Sequence, residues 1–193
     1  MQATLFGRGE AEVAGFGRAV HTDLGAGAWV EHVPGFVHGQ DGLFDAIRRG
    51  TGWVSQRRRM YERVVDVPRL LGRPPDLPVL AGAVDALEGR YGWRLDRVSA
   101  ALYRDGRDSV AWHGDRMGDL RADCVIAVLC LGSERRFLLR PAGGGPSRAI
   151  RFMGGDLIVM GGTAQETWEH CVPKRADAGP RIAVMFRPSA RPG

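Results

Sequence analysis

The sequence predicts an α+β protein, mainly β, built on an antiparallel sandwich or barrel, and three observations lead there. From residue 98 onward short apolar runs recur at 98–103, 123–131, 135–140, 148–152, 156–161, 166–172 and 181–187, divided by Gly, Pro and charged turns. Helical spacing is confined to two earlier stretches, 41–50 and 79–88. The length, 193 residues with 44% hydrophobic content, suits a single domain with its own core.

Taken in order, residues 1–26 are glycine-rich without a clean period and predict an extended N-terminal arm. Residues 28–36 predict a strand running into a Pro-Gly turn, and 41–50 a short amphipathic helix capped by Asp41 and ended by Gly50. Residues 53–69 mix basic, aromatic and β-branched side chains and suit a basic hairpin. Arg57, Arg58 and Arg59 there would meet nucleic-acid phosphates, while Met60 or Tyr61 would stack on or wedge between bases. A proline-rich loop over 72–78 leads into the second helix, a scaffold element. Gly143-Gly144-Gly145-Pro146 predicts a hairpin loop and not a phosphate cradle, since no helix start or Lys-Ser/Thr follows.

The net charge is +5 and almost wholly arginine, Lys174 being the only lysine, which leans toward nucleic acid or another polyanion. Cys124, Cys130 and Cys171 are odd in number and lack CxxC spacing, which argues against a disulfide framework or zinc knuckle and for a reducing, cytoplasmic setting. The longest apolar run, 124–131, is too short to cross a bilayer, and no leader pattern opens the chain. We expect no membrane partner.

The chemistry centres on Val98 to Asp115. An apolar run ends at Tyr103, the Asp105-Gly106 turn follows, and His113 and Asp115 come two residues apart, so in an extended chain both point to one face. A 2-His-1-carboxylate triad binds Fe(II) on one face and leaves positions open. With His21, His32 and His38 all in the N-terminal segment, His170 is the natural third ligand. Alternation then places Arg181, Ala183, Met185 and Arg187 on one face of the last strand. A buried arginine there needs an acid, and an anionic cosubstrate would supply one.

The order H-x-D, a distant H, then R-x5-R resembles the AlkB family of Fe(II)- and 2-oxoglutarate-dependent nucleic-acid dealkylases. So do Leu102-Tyr103-Arg104-Asp105-Gly106, Asp108 to His113, Trp168 to Lys174 and Pro180-Arg181. The resemblance implies a double-stranded β-helix, or jelly roll, as catalytic core over 98–188. A nucleotide-recognition lid, the basic hairpin and supporting helices would occupy 27–97. It implies that His113, Asp115 and His170 hold Fe(II), that Arg181 and Tyr103 bind the distal carboxylate of 2-oxoglutarate, and that Arg187 orients Asp115 or the cosubstrate. The implied activity is dioxygen-dependent demethylation of 1-methyladenine- or 3-methylcytosine-type bases in DNA or RNA, by a monomer, as direct-reversal alkylation repair. The same chemistry on a tRNA base, a protein or a small molecule, and a non-catalytic nucleic-acid-binding module, are the competing readings. Family members usually carry asparagines where this chain has Ala101 and Ala183, and acidic residues where it has Arg116-Met117-Gly118. Asp119 stands nearby.

Overall fold

The computed structural model describes residues 10–60, 63–115, 117–120 and 122–190, and the side chains of 56–67 lie outside that description. The strands are β1 (Glu12–Val13), β2 (Val20–Gly25), β3 (Ala28–Val33), β4 (Val37–His38), β5 (Val54–Met60), β6 (Arg63–Gly72) and β7 (Arg97–Tyr103). They continue as β8 (Val110–His113), β9 (Ile126–Gly132), β10 (Arg135–Pro141), β11 (Arg148–Phe152), β12 (Leu157–Gly162), β13 (Trp168–Val172) and β14 (Arg181–Arg187). Helices α1 (Gln40–Gly50), α2 (Pro78–Tyr91) and the short α3 (Ala164–Thr167), with a 3-10 turn at Gly118–Leu120, complete the set among the described residues.

Two sheets form the sandwich. The larger runs β2-β3-β12-β9-β14-β7-β6-β5 and the smaller β11-β10-β13-β8, while β1 and β4 pair separately. Each apolar run from residue 98 onward becomes a strand, and every pairing is antiparallel, giving a jelly-roll core. Strands β9, β12 and β14 are buried along nearly their whole length because they lie mid-sheet. Their inner side chains face the smaller sheet, and α1 packs on β9 and β14 through buried Leu43, Phe44 and Ile47. That double covering explains continuous apolar runs where an exposed sheet would alternate.

The N-terminal expectations need correction. Within residues 1–26 the described part holds two strands, and β2 is the edge of the larger sheet, paired to β3. β3 is equally a core strand, bonded to β12 from Leu157↔Val33 to Gly162↔Ala28. Edge strands need only one apolar side, so Thr22 and Leu24 half-buried among exposed neighbours suffice, and the alternation is too weak to read locally. Asp41 does not cap α1. The N-cap is Gly39, at φ 65°, a left-handed conformation glycine adopts without strain, and Asp41 sits in the first turn, where its charge still favours the helix dipole.

Helix α2 begins with Pro78 at its first turn and ends at Gly92 (φ 71°), whose N–H donates to the Glu88 carbonyl at 2.9 Å. Near its C-terminus Arg90 reaches the buried Glu31 of β3 with both Nε (3.1 Å) and Nη2 (2.9 Å). Strands β5 and β6 form the expected hairpin, but only Leu70–Gly72 of β6 pair with β7, so the rest overhangs the sheet. Arg57, Arg58, Arg59 and Met60 lie on β5, and Tyr61 lies outside the described residues.

Candidate metal and cosubstrate site

His113 and His170 face one another because β8 and β13 pair in register at these two residues, which brings their ring centroids to 4.3 Å. Asp115 follows two residues past the end of β8. The intervening Gly114 is required by the packing: a Cβ there would lie 2.7 Å from the carbonyl oxygen of Gln165. Gln165 also accepts the Asp115 backbone N–H on its side-chain oxygen at 2.9 Å, so α3 fixes the carboxylate's backbone. One ligand atom from each of His113, Asp115 and His170 lies within 4.8 Å of the others.

The electrostatics prepare these groups to donate lone pairs. Burial pushes the His170 imidazole down to about 3, and burial likewise lowers His113, so both rings are neutral at ordinary pH. The Nδ1 of His113 lies 2.8 Å from the Ala111 carbonyl oxygen, which can only accept, so Nδ1 carries the proton and Nε2 is left as a donor to metal. Phe137 stacks on the His170 ring at 5.2 Å and limits its rotation. Burial opposes ionisation of Asp115, yet the charge and hydrogen bond of Arg187 hold its carboxyl below the usual range. Arg187 Nη2 lies 2.7 Å from Asp115 Oδ1. The other oxygen, Oδ2, is buried with no hydrogen-bond partner, 3.9 Å from His170 Nε2. An unpaired buried carboxylate oxygen beside two neutral imidazoles is a donor set that suits a divalent ion, and hydrogen-bond satisfaction alone does not account for it.

Arg181 is fully buried, with its guanidinium 5.1 Å from the Tyr103 ring centre, as β14–β7 register Arg181↔Tyr103 dictates. Its Nε donates to Cys130 Sγ at 3.1 Å and its Nη1 has no partner. The Tyr103 hydroxyl accepts from Arg69 Nη1 at 3.0 Å. Ala101 and Ala183 are cross-strand partners on the same inner face. Arg69, Tyr103, Arg181 and Ala183, with the His-Asp-His cluster, line a cavity of about 30 Å³. A larger cavity of about 730 Å³, between Arg73–Val84 and Asp96–Ser99, shares the Arg187 wall but holds none of the three clustered ligand residues.

The sequence alone does not mark Arg69, Gln165, Cys130 and Phe137 as site residues. Arg69 stood inside the basic hairpin, and only the Leu70↔Leu102 pairing shows that it turns toward Tyr103. The remaining three carry no pattern that separates them from ordinary core residues.

A sequence model of the 2OG-Fe(II) oxygenase superfamily matches residues 37–187. Among curated relatives, mouse alpha-ketoglutarate-dependent dioxygenase alkB homolog 3 is 31% identical over 149 residues, covering 72% of this chain and 51% of the relative. DNA oxidative demethylase ALKBH2 of Arabidopsis thaliana is 27% identical over 212 residues, covering 86% and 68%. The chain therefore spans about half the length of the alkB homolog 3 relatives it matches. The solved structure of OsALKBH1 superposes with a TM-score of 0.57 at 12% identity, covering 88% of this chain and 100% of that one, a likeness of fold. Matched over residues 37–187 by the superfamily's sequence pattern, and similar to AlkB homologues in sequence, the chain belongs to the 2OG-Fe(II) oxygenase superfamily and, within it, to the AlkB family.

Proposed function

We propose that this protein is an Fe(II)- and 2-oxoglutarate-dependent dioxygenase that demethylates N-alkylated bases of the 1-methyladenine and 3-methylcytosine type in DNA or RNA. The observation that carries the reading is the His113, Asp115 and His170 cluster, with Asp115 Oδ2 buried and unpaired, next to an arginine with a free buried N–H. His113, His170 and Asp115 would hold Fe(II), and Arg181 with Tyr103 would bind the distal carboxylate of 2-oxoglutarate. Iron, when bound, would let dioxygen act as the oxidant and 2-oxoglutarate as the two-electron reductant, one oxygen atom ending in succinate as carbon dioxide leaves and the other hydroxylating an N-methyl carbon, which departs as formaldehyde.

The chain's own residues do the placing. Arg187 keeps Asp115 ionised and aimed, and Gln165 anchors its backbone. Val128, Phe137, Val172 and Met185 wall the cavity with apolar surface that excludes water. The overhanging β5–β6 hairpin, carrying Arg57, Arg58 and Arg59, would serve as the nucleotide-recognition lid, with Met60 and Tyr61 beside an extruded base. Flipping that base costs a few kcal/mol, least for a damaged, weakly paired one. The AlkB homologues support the substrate class, since the relatives include, by name, a dioxygenase and a DNA oxidative demethylase.

Incubating the protein with Fe(II), 2-oxoglutarate and methylated oligonucleotides, with bases read by mass spectrometry, tests this. Loss of the methyl mass from 1-methyladenine or 3-methylcytosine is the expected result. Succinate release without repair would move the substrate to a tRNA base, a protein or a small molecule. No succinate from an iron-loaded protein would leave a nucleic-acid-binding module.

A further inference from the structure

Three guanidinium groups surround the Tyr103 ring, Arg181 at 5.1 Å, Arg135 at 5.8 Å and Arg69 at 5.9 Å from its centre. Arg135 gives its terminal nitrogens to the carbonyls of Asp105, Asp108 and Pro173 and, although its Nε is unpaired, does not line the cavity that holds the iron ligands. Arg69 and Arg181 are only half used. Arg69 gives one N–H to the Tyr103 hydroxyl while its Nε is buried without a partner, and Arg181 gives one to Cys130 while its Nη1 is likewise unpaired. Both line the cavity that holds the iron ligands, and the one carboxylate among its described lining residues, Asp115, is already matched by Arg187.

A buried arginine and a half-buried one, each with a buried donor nitrogen unspent and both lining one cavity, call for an anion that accepts several hydrogen bonds. The asparagines usual in the family cannot contribute, because Ala101 and Ala183 face each other across β7 and β14 with no polar atom on their side chains. We propose that Arg69 is a second cationic ligand for the distal carboxylate of 2-oxoglutarate, closing a two-arginine clamp with Arg181 around the Tyr103 hydroxyl. The inference rests on the cosubstrate reading above. The phenolic oxygen accepts from Arg69, so its hydrogen is left to donate toward the same carboxylate. Pairing of Leu70 with Leu102 holds Arg69 beside Tyr103.

Calorimetric titration of the Mn(II)-loaded protein with 2-oxoglutarate and with 2-oxobutanoate, which keeps the 2-oxo acid but lacks the distal carboxylate, separates a ligand from a packing residue. Arg69→Ala should raise the 2-oxoglutarate Kd by about tenfold to hundredfold, the loss of a charge-assisted hydrogen bond, and leave 2-oxobutanoate within about twofold. Arg69→Lys should fall between. Tyr103→Phe, which keeps the ring, should reproduce the dicarboxylate-selective loss even where Arg69→Ala folds poorly. Equal weakening of both ligands, or an unchanged 2-oxoglutarate Kd, overturns the assignment. A wild-type protein that binds Mn(II) but no 2-oxoglutarate overturns the cosubstrate reading itself, and is recognised without any variant.

Discussion

Replacing Arg187 by alanine removes the only cation in contact with the buried Asp115 carboxylate among the described residues, and its effect should depend on metal. Asp115 is 9% exposed and the Arg187 side chain 19%, with 2.7 Å between Nη2 and Oδ1. Removing one partner of a buried pair costs about 3–5 kcal/mol. The partial exposure of Arg187, and the freedom of Asp115 to take up a proton once its pKa climbs, place this case near the lower end, about 3 kcal/mol. For a chain of this size that corresponds to a Tm lower by roughly 6–12 °C. A divalent ion held by Asp115 supplies the missing positive charge, and loss of Arg187 also removes a repulsion against that ion. Thermal unfolding followed by circular dichroism in EDTA and in saturating Mn(II) should therefore show the full drop without metal and less than half of it with metal. A drop below about 2 °C in EDTA, or an equal drop in both conditions, would refute the reasoning.

Asp156 offers a pH test away from the site. Burial opposes its ionisation, but hydrogen bonds from His32 and the backbone N–H groups of Gly35 and Met153 hold its pKa below the ordinary 3.8. A carboxyl with a lowered folded pKa contributes stability that is complete above its unfolded value and lost as pH falls through the folded one. Asp156→Asn should therefore be less stable at pH 7 and show a shallower loss in urea titrations below about pH 4; parallel slopes would contradict this. Changing Arg57, Arg58 and Arg59 together to alanine should reduce the salt dependence of oligonucleotide binding by up to roughly three phosphate contacts, read as the slope of log K against log salt. An unchanged slope would return that hairpin to plain surface.

Much of the architecture is legible in the sequence because the relevant signals are local. The runs that became β7 and β9 to β14 are bounded by turn residues, and the metal cluster needs only an i, i+2 pair and one histidine on a facing strand. What escaped depends on register and tertiary pairing. β2 reads as an arm because an edge strand needs little apolar surface, and β8 (Val110–His113) is too short to announce itself. Arg69 becomes a site residue only through the β6–β7 register, and Arg135 is buried only because loops remote in sequence converge on its guanidinium. The alanines at 101 and 183 were visible, but not that they face each other across the sheet.

On the proposed function, iron held by His113, Asp115 and His170 would couple 2-oxoglutarate turnover to demethylation of a base. Succinate and formaldehyde measured together on a 3-methylcytosine oligonucleotide, for the wild type and for Asp115→Ala, test it most directly. One formaldehyde per succinate in the wild type, and neither from Asp115→Ala despite nearly intact oligonucleotide binding, is the predicted result; turnover surviving in Asp115→Ala would contradict it.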